Sequence, residues 1–163
     1  MNQQVFIDKL CERLAVEQAG VRLYEAVLAR VDDADARRRL DRFRRDEIRH
    51  RDLIAAHLER ANVSDEARET ASVRLARAEG EAMLKLVDEC AGELPLFNLL
   101  LTVELTDETG WELLIDLARD AGEMQLVESF AGCLRAEKEH LRTLRGLVAE
   151  RARAALESHA DAR

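Results

Sequence analysis

Two short motifs in the chain could do chemistry together: Glu47-Ile48-Arg49-His50 and Glu137-Lys138-Glu139-His140. A carboxylate and an imidazole three residues apart lie on one helix face, so each motif can offer an oxygen and a nitrogen to one point in space. Two further carboxylates, Glu17 and Glu104, interrupt apolar helical seams elsewhere in the chain. Four glutamates and two histidines form a mixed oxygen and imidazole donor set. Such a set suits iron or manganese better than a thiolate-preferring metal.

Long helices must position these residues. The composition is rich in Ala, Leu, Glu and Arg, with seven Gly and the single Pro95, too little punctuation for a β-sandwich and what long helices require. The first helix is predicted from about Asn2 to Val31. Asp32 and Asp33 break it and offer an N-cap to a second helix, Ala34 to Arg60. Asn62 and Ser64 mark the next break, and a crossover follows with its own helix near Ser72 to Cys90. Gly92 and Pro95 open a fourth stretch that runs to about Arg119, with Pro95 in its first turn. Asp120 and Gly122 end it. A last helix starts at Glu123 and reaches the 150s, and the closing ESHADAR is expected to fray. The expected architecture is all-α: two helical hairpins joined by a long crossover, as one domain over residues 1–163.

Steps of four and three trace the buried seam of each long helix. The seams read Leu10, Leu14, Glu17, Val21, Tyr24, Leu28, Val31; then Leu40, Phe43, Glu47, His50, Ile54, His57; then Phe97, Leu101, Glu104, Glu108, Trp111, Ile115, Ala118; and last Phe130, Cys133, Glu137, His140, Leu144, Leu147. Each is apolar and each is broken near its middle by a carboxylate. A weak internal repeat supports this register. Glu17 and Tyr24 match Glu104 and Trp111 at an offset of 87, and the two Glu-x-x-His motifs match at an offset of 90. Two such hairpins related by an approximate two-fold bring the four breaks to a shared midpoint. Four ionised carboxylates at one buried level need compensating charge. None of these seam positions is basic, so two divalent cations are expected to supply it.

The six residues, in this order, resemble the ferritin-like superfamily of di-iron carboxylate proteins. That pattern takes one Glu from each of two helices and a Glu-x-x-His from each of the other two. The resemblance covers the whole bundle. It implies a ferritin-like four-helix bundle with two iron ions, manganese or a mixed pair being alternatives, held by Glu17, Glu47, His50, Glu104, Glu137 and His140. One His ligand per half is more similar to bacterioferritin and the rubrerythrin ferritin-like domain than to eukaryotic ferritin. The implied activity is oxidation of iron by O2 or peroxide, of ferroxidase or peroxidase type. The alternatives are a storage or detoxification cage and a bundle in which metal is only structural. Bacterioferritin holds haem through a Met near the first Glu-x-x-His. The methionines here are Met1, Met83 and Met124, so no haem is expected. With no short fifth helix after the last long one, a homodimer is favoured over a large cage.

Other residues keep two readings. Tyr24, seven after Glu17, matches a Tyr common in the family's first helix; it is a donor to a ligand carboxylate, a one-electron donor, or a core aromatic. Glu108 could replace or join Glu104 as ligand, or form an ion pair. Trp111 is expected in the core, His57 partly exposed, the Arg37–Arg51 stretch solvated, and Cys11, Cys90 and Cys133 buried as small hydrophobes. A net charge of −8 argues against nucleic acid. The absence of a signal-peptide pattern or a long apolar run points to a cytoplasmic protein away from membranes.

Overall fold

The computed structural model describes residues 3–64 and 68–160. Five helices follow in the expected order: α1 (Gln3–Leu28), α2 (Ala34–Arg60), α3 (Ala71–Glu89), α4 (Glu93–Asp120) and α5 (Met124–Ala160). No strand occurs among the described residues. α1 pairs with α2, α4 pairs with α5, and the hairpins meet through α1 against α4 and α2 against α5. The crossover helix α3 lies along α1 and barely touches α4. The result is a helical bundle of ferritin-like type with an added crossover helix. No described helix is long and apolar enough to cross a membrane.

Local chemistry sets the boundaries. The Asp33 carboxylate accepts hydrogen bonds from the backbone N–H groups of Asp35 and Ala36, both at 2.8 Å, and so caps α2; such a cap contributes about 1 kcal/mol. Thr70 caps α3 through Val73 N–H. Glu93 clips the far end of the bundle together. One of its oxygens accepts from the Asp32 and Asp33 N–H groups, and the other from Arg151 on α5. α1 ends at Leu28, short of the expected Val31, yet Val31 is still buried in the turn. α5 continues as helix to Ala160. Part of the closing ESHADAR is thus helical in the structure, and residues 161–163 lie outside the described residues.

Burial corrects the seam of α4. The buried positions run Phe97, Leu100, Glu104, Asp107, Trp111, Leu114, Ala118, so Leu101, Glu108 and Ile115 stand one place off the seam. Both alternations of three and four join Phe97 to Trp111, and only the neighbouring helices choose between them. On α2 the deepest position near the C-terminus is Leu58, and His57 is half-buried against Phe6, as expected of it. Two apolar clusters result. One gathers Phe6, Leu10, Ile54, Leu58, Trp111 and Phe130. The other gathers Tyr24, Leu40, Phe43, Phe97, Leu100 and Leu144. The layer between them is polar. Each large side chain in these clusters contributes about 1.5–3 kcal/mol by leaving water, which offsets the cost of that layer.

Gly80 lets α3 approach α1 closely, because a Cβ there would stand 2.5 Å from the Cβ of Ala19. A Cβ cannot swing aside, so the helices must part. Gly80→Val is expected to cost about 1–3 kcal/mol, seen as a fall in Tm of roughly 2–4 °C per kcal/mol. Gly146→Ala, with nothing near its added methyl, is expected to raise Tm slightly through helix propensity. Thermal melts followed by circular dichroism check both.

Candidate metal centre

The midpoint of the bundle receives Glu17 from α1, Glu47 and His50 from α2, Glu104 from α4, and Glu137 and His140 from α5. All six are buried. They form two overlapping quartets, Glu17–Glu47–His50–Glu137 and Glu47–Glu104–Glu137–His140. Within each quartet one ligand atom per residue lies within 4.8 Å of all the others. That span is close to the roughly 4.2 Å across a metal ion with ligand bonds of about 2.1 Å. Glu47 and Glu137 belong to both quartets, whereas each imidazole and each remaining glutamate belongs to one. His50 Nδ1 is 2.9 Å from Glu137 Oε1. His140 Nδ1 is 3.1 Å from Glu104 Oε2 and 3.2 Å from Glu137 Oε2.

A surrounding set of side chains holds these groups. The Tyr24 hydroxyl donates to Glu104 Oε1, and Trp111 Nε1 donates to Glu137 Oε1 at 3.1 Å. Arg13 Nη2 is ion-paired with Glu17 Oε1 at 2.6 Å, and Arg13 Nη1 donates to Asp107 Oδ1 at 3.0 Å. The same guanidinium lies over the Trp111 ring, 4.7 Å from its centroid. His140 Nε2 is 3.3 Å from Asp46 Oδ2, so Nδ1 is the nitrogen facing the centre. Asp46 thereby sets the tautomer of the ring. The Phe43 ring stacks 4.2 Å from that of His140.

Three of these residues were not predicted, and one expectation is overturned. The buried layer does contain a basic side chain, Arg13. α1 touches α2, α3 and α4, so its buried face is wider than a single seam and takes in the residue beside Leu14. The i, i+4 spacing from Arg13 to Glu17 was the available signal. Asp107 occupies the buried position assigned to Glu108; Glu108 instead faces outward, 3.6 Å from Lys138. Asp46 carried no signal, because its partner is 94 residues away. Cys11 and Cys133 are buried as expected, and Cys90 is half-buried.

Five buried carboxylates against one buried guanidinium leave four negative charges, and the charge balance expected for two divalent cations survives the correction. In the folded chain protons compensate in part. Burial lowers the affinity of His50 for a proton, but Cys133 and Glu137 outweigh it and hold the ring up at about 10. Burial acts likewise on His140, where Glu104 and Glu137 hold it at about 9. Glu47 is pushed well above the usual carboxylate range by burial and then by Glu137 and Glu17. Glu104 is raised likewise by burial and by Glu137. Burial also works against the ionised form of Glu137, yet contacts from His140 and His50 hold it well below the usual range. Asp107 is raised to about 7 by burial, in spite of Arg13. Neither oxygen of Glu47 has a hydrogen-bond donor. A buried carboxylate without donors is costly, and a metal ion bound between the two quartets would satisfy it.

A family model described as Domain of unknown function (DUF892) matches residues 1–157. The chain belongs to the DUF892 family. That family is related to the ferritin-like fold, in agreement with the all-helical bundle. Comparison with curated proteins and with solved structures returned no match. In this DUF892 chain the buried Glu and His groups could therefore hold metal, on the family's fold and on the geometry alike.

Two outcomes are expected. Both histidines have folded values above the ordinary 6.5. The stability they contribute is therefore full below pH 6.5 and is lost as pH rises through about 9 to 10. Metal-free protein should lose Tm steadily between pH 6.5 and 10, His140 alone accounting for on the order of 3 kcal/mol. Metal, which requires neutral imidazoles, should flatten that fall; calorimetry with and without chelator checks it. The second outcome concerns Gly20, where an added Cβ would stand 2.8 Å from Glu47 Oε2. Gly20→Ala should weaken metal binding about 10-fold or more without lowering the Tm of metal-free protein, as measured by competition with a chromophoric chelator.

Proposed function

We propose that the centre holds two iron ions and that the protein is a di-iron oxidoreductase of ferroxidase or peroxidase type, using O2 or peroxide. The observation that carries this reading is the sharing of Glu47 and Glu137 between two quartets, each completed by its own Glu and His. A mononuclear or purely structural site does not call for shared carboxylates flanked by two equivalent half-sites. Bound iron would supply two electrons, one from each ion, to the oxidant.

The chain's own residues have definable tasks in this reading. Glu47, free of hydrogen-bond donors, can change its mode of binding as charge at the centre changes. Glu104, Glu137 and Glu17 are tethered by Tyr24, Trp111 and Arg13. Tyr24, whose hydroxyl contacts the ligand Glu104, is in this reading a one-electron donor, and Trp111 on Glu137 is a second redox-capable side chain beside the centre. The apolar clusters on either side keep bulk water out. We take the protein to act as a small cytoplasmic homo-oligomer, most simply a dimer. We expect no haem, and no nucleic-acid or membrane partner.

Anaerobic titration with ferrous iron tests the reading. The expected stoichiometry is about two ions per chain, and adding O2 or peroxide should then produce ferric near-ultraviolet absorption. Glu104→Ala should cost at least about 100-fold in affinity for one ion, whereas Glu108→Ala, paired outward with Lys138, should cost little. No iron binding above background would overturn the reading. Tight binding of zinc, with iron that never oxidises, would make the site structural.

A further inference from the structure

A cavity of about 300 Å³ lies between α1, α3 and α4, at the lower end of the range for small-molecule sites. Protein interiors are ordinarily filled; here space remains between the three helices. Leu23, Met83 and Val103 form apolar walls. The inner end is made by Gly20 and Asp107. Gly20 is a wall common to the cavity and the centre, since a Cβ built on it would stand 2.8 Å from Glu47 Oε2. Asp107 likewise faces both, its Oδ1 bound to the Arg13 that holds Glu17.

The charge of the lining selects the occupant. Glu79 and Asp107 are acidic, and among the described residues no Lys, Arg or His lines the cavity. An anionic group would meet two carboxylates and no cation there, only the Thr106 hydroxyl being neutral and polar, whereas an N–H or O–H donor would find acceptors. We propose that this cavity binds a small, largely apolar molecule with a hydrogen-bond-donating end, such as an arylamine or a phenol, beside the metal centre. The site is distinct from the six-residue cluster, and its occupancy does not depend on which metal the cluster holds.

The test is a fluorescence titration of the full-length protein, as purified, with N-phenyl-1-naphthylamine, an apolar body with one N–H donor. Its anionic counterpart 1-anilinonaphthalene-8-sulfonate is run in parallel. Saturable enhancement is expected with the amine, and at least about 10-fold weaker binding with the sulfonate, or some 1.4 kcal/mol. Val103→Phe fills the cavity and should weaken the amine about 10-fold or more. Thr106→Phe, an exposed position on the cavity rim, should do the same and carries the test if Val103→Phe does not fold. Leu113→Phe, exposed on the same helix away from the cavity, should change nothing. Metal content measured on each variant should stay at the wild-type level, so a failure here is distinguishable from a failure of the metal reading. Absence of saturation, equal binding of the sulfonate, or indifference to both filling variants would overturn the proposal.

Discussion

An ionised carboxylate has no stable place in the middle of a helical bundle unless something positive shares that place. Among the described residues, five buried carboxylates meet at one level of this bundle, with Arg13 their only permanently charged buried counterpart. The shape of the rest follows from that demand. Apolar clusters above and below the layer drive folding, and they also lower the local dielectric, which makes every unbalanced charge in the layer more costly. Protons on His50, His140 and the raised glutamates allow the chain to fold with the layer buried. Metal ions would replace those protons with a denser and better placed positive charge.

A weak internal repeat relates the two halves of the bundle around this constraint. Glu17 and Glu104 correspond, as do the two Glu-x-x-His motifs. The supporting residues do not. At the position matching Asp107 stands Gly20, and at that matching Arg13 stands Leu100. An ion pair between α1 and α4 therefore joins the two halves on one side, where its counterpart positions hold a gap and an apolar side chain. Tyr24 corresponds to Trp111, and each donates to a ligand carboxylate, but Tyr24 reaches Glu104 and Trp111 reaches Glu137. His140 is oriented by Asp46 and stacked on Phe43, whereas His50 leans on Cys133, the counterpart of Phe43. The half-sites share ligands and differ in their surroundings, so two ions there would differ in charge environment.

The crossover helix adds a second asymmetry. α3 covers α1 and leaves α4 nearly free of it, so α1 is enclosed on three sides. That enclosure brings α3 to within a methyl group of α1 at Gly80. It also leaves a cavity whose inner end is the back wall of the metal layer.

Periodicity made much of this legible in the sequence. A helix repeats its faces every 3.6 residues, so a seam broken by Glu47 and His50, or by Glu137 and His140, declares which side chains meet on the inside. Helix ends at Asp33 and near Pro95 followed from capping and proline chemistry, which are local. What only the tertiary structure decided was set by neighbours distant in the chain. The choice of Asp107 over Glu108 turned on which face of α4 met α1 and α5. The burial of Arg13 turned on α4 closing over it with Asp107, Gly110 and Trp111. The service of Asp46 to His140 turned on two helices meeting across 94 residues. A spacing rule describes one helix facing one direction. The width of a buried face, and the partner each charge finds there, are properties of how several helices close around it.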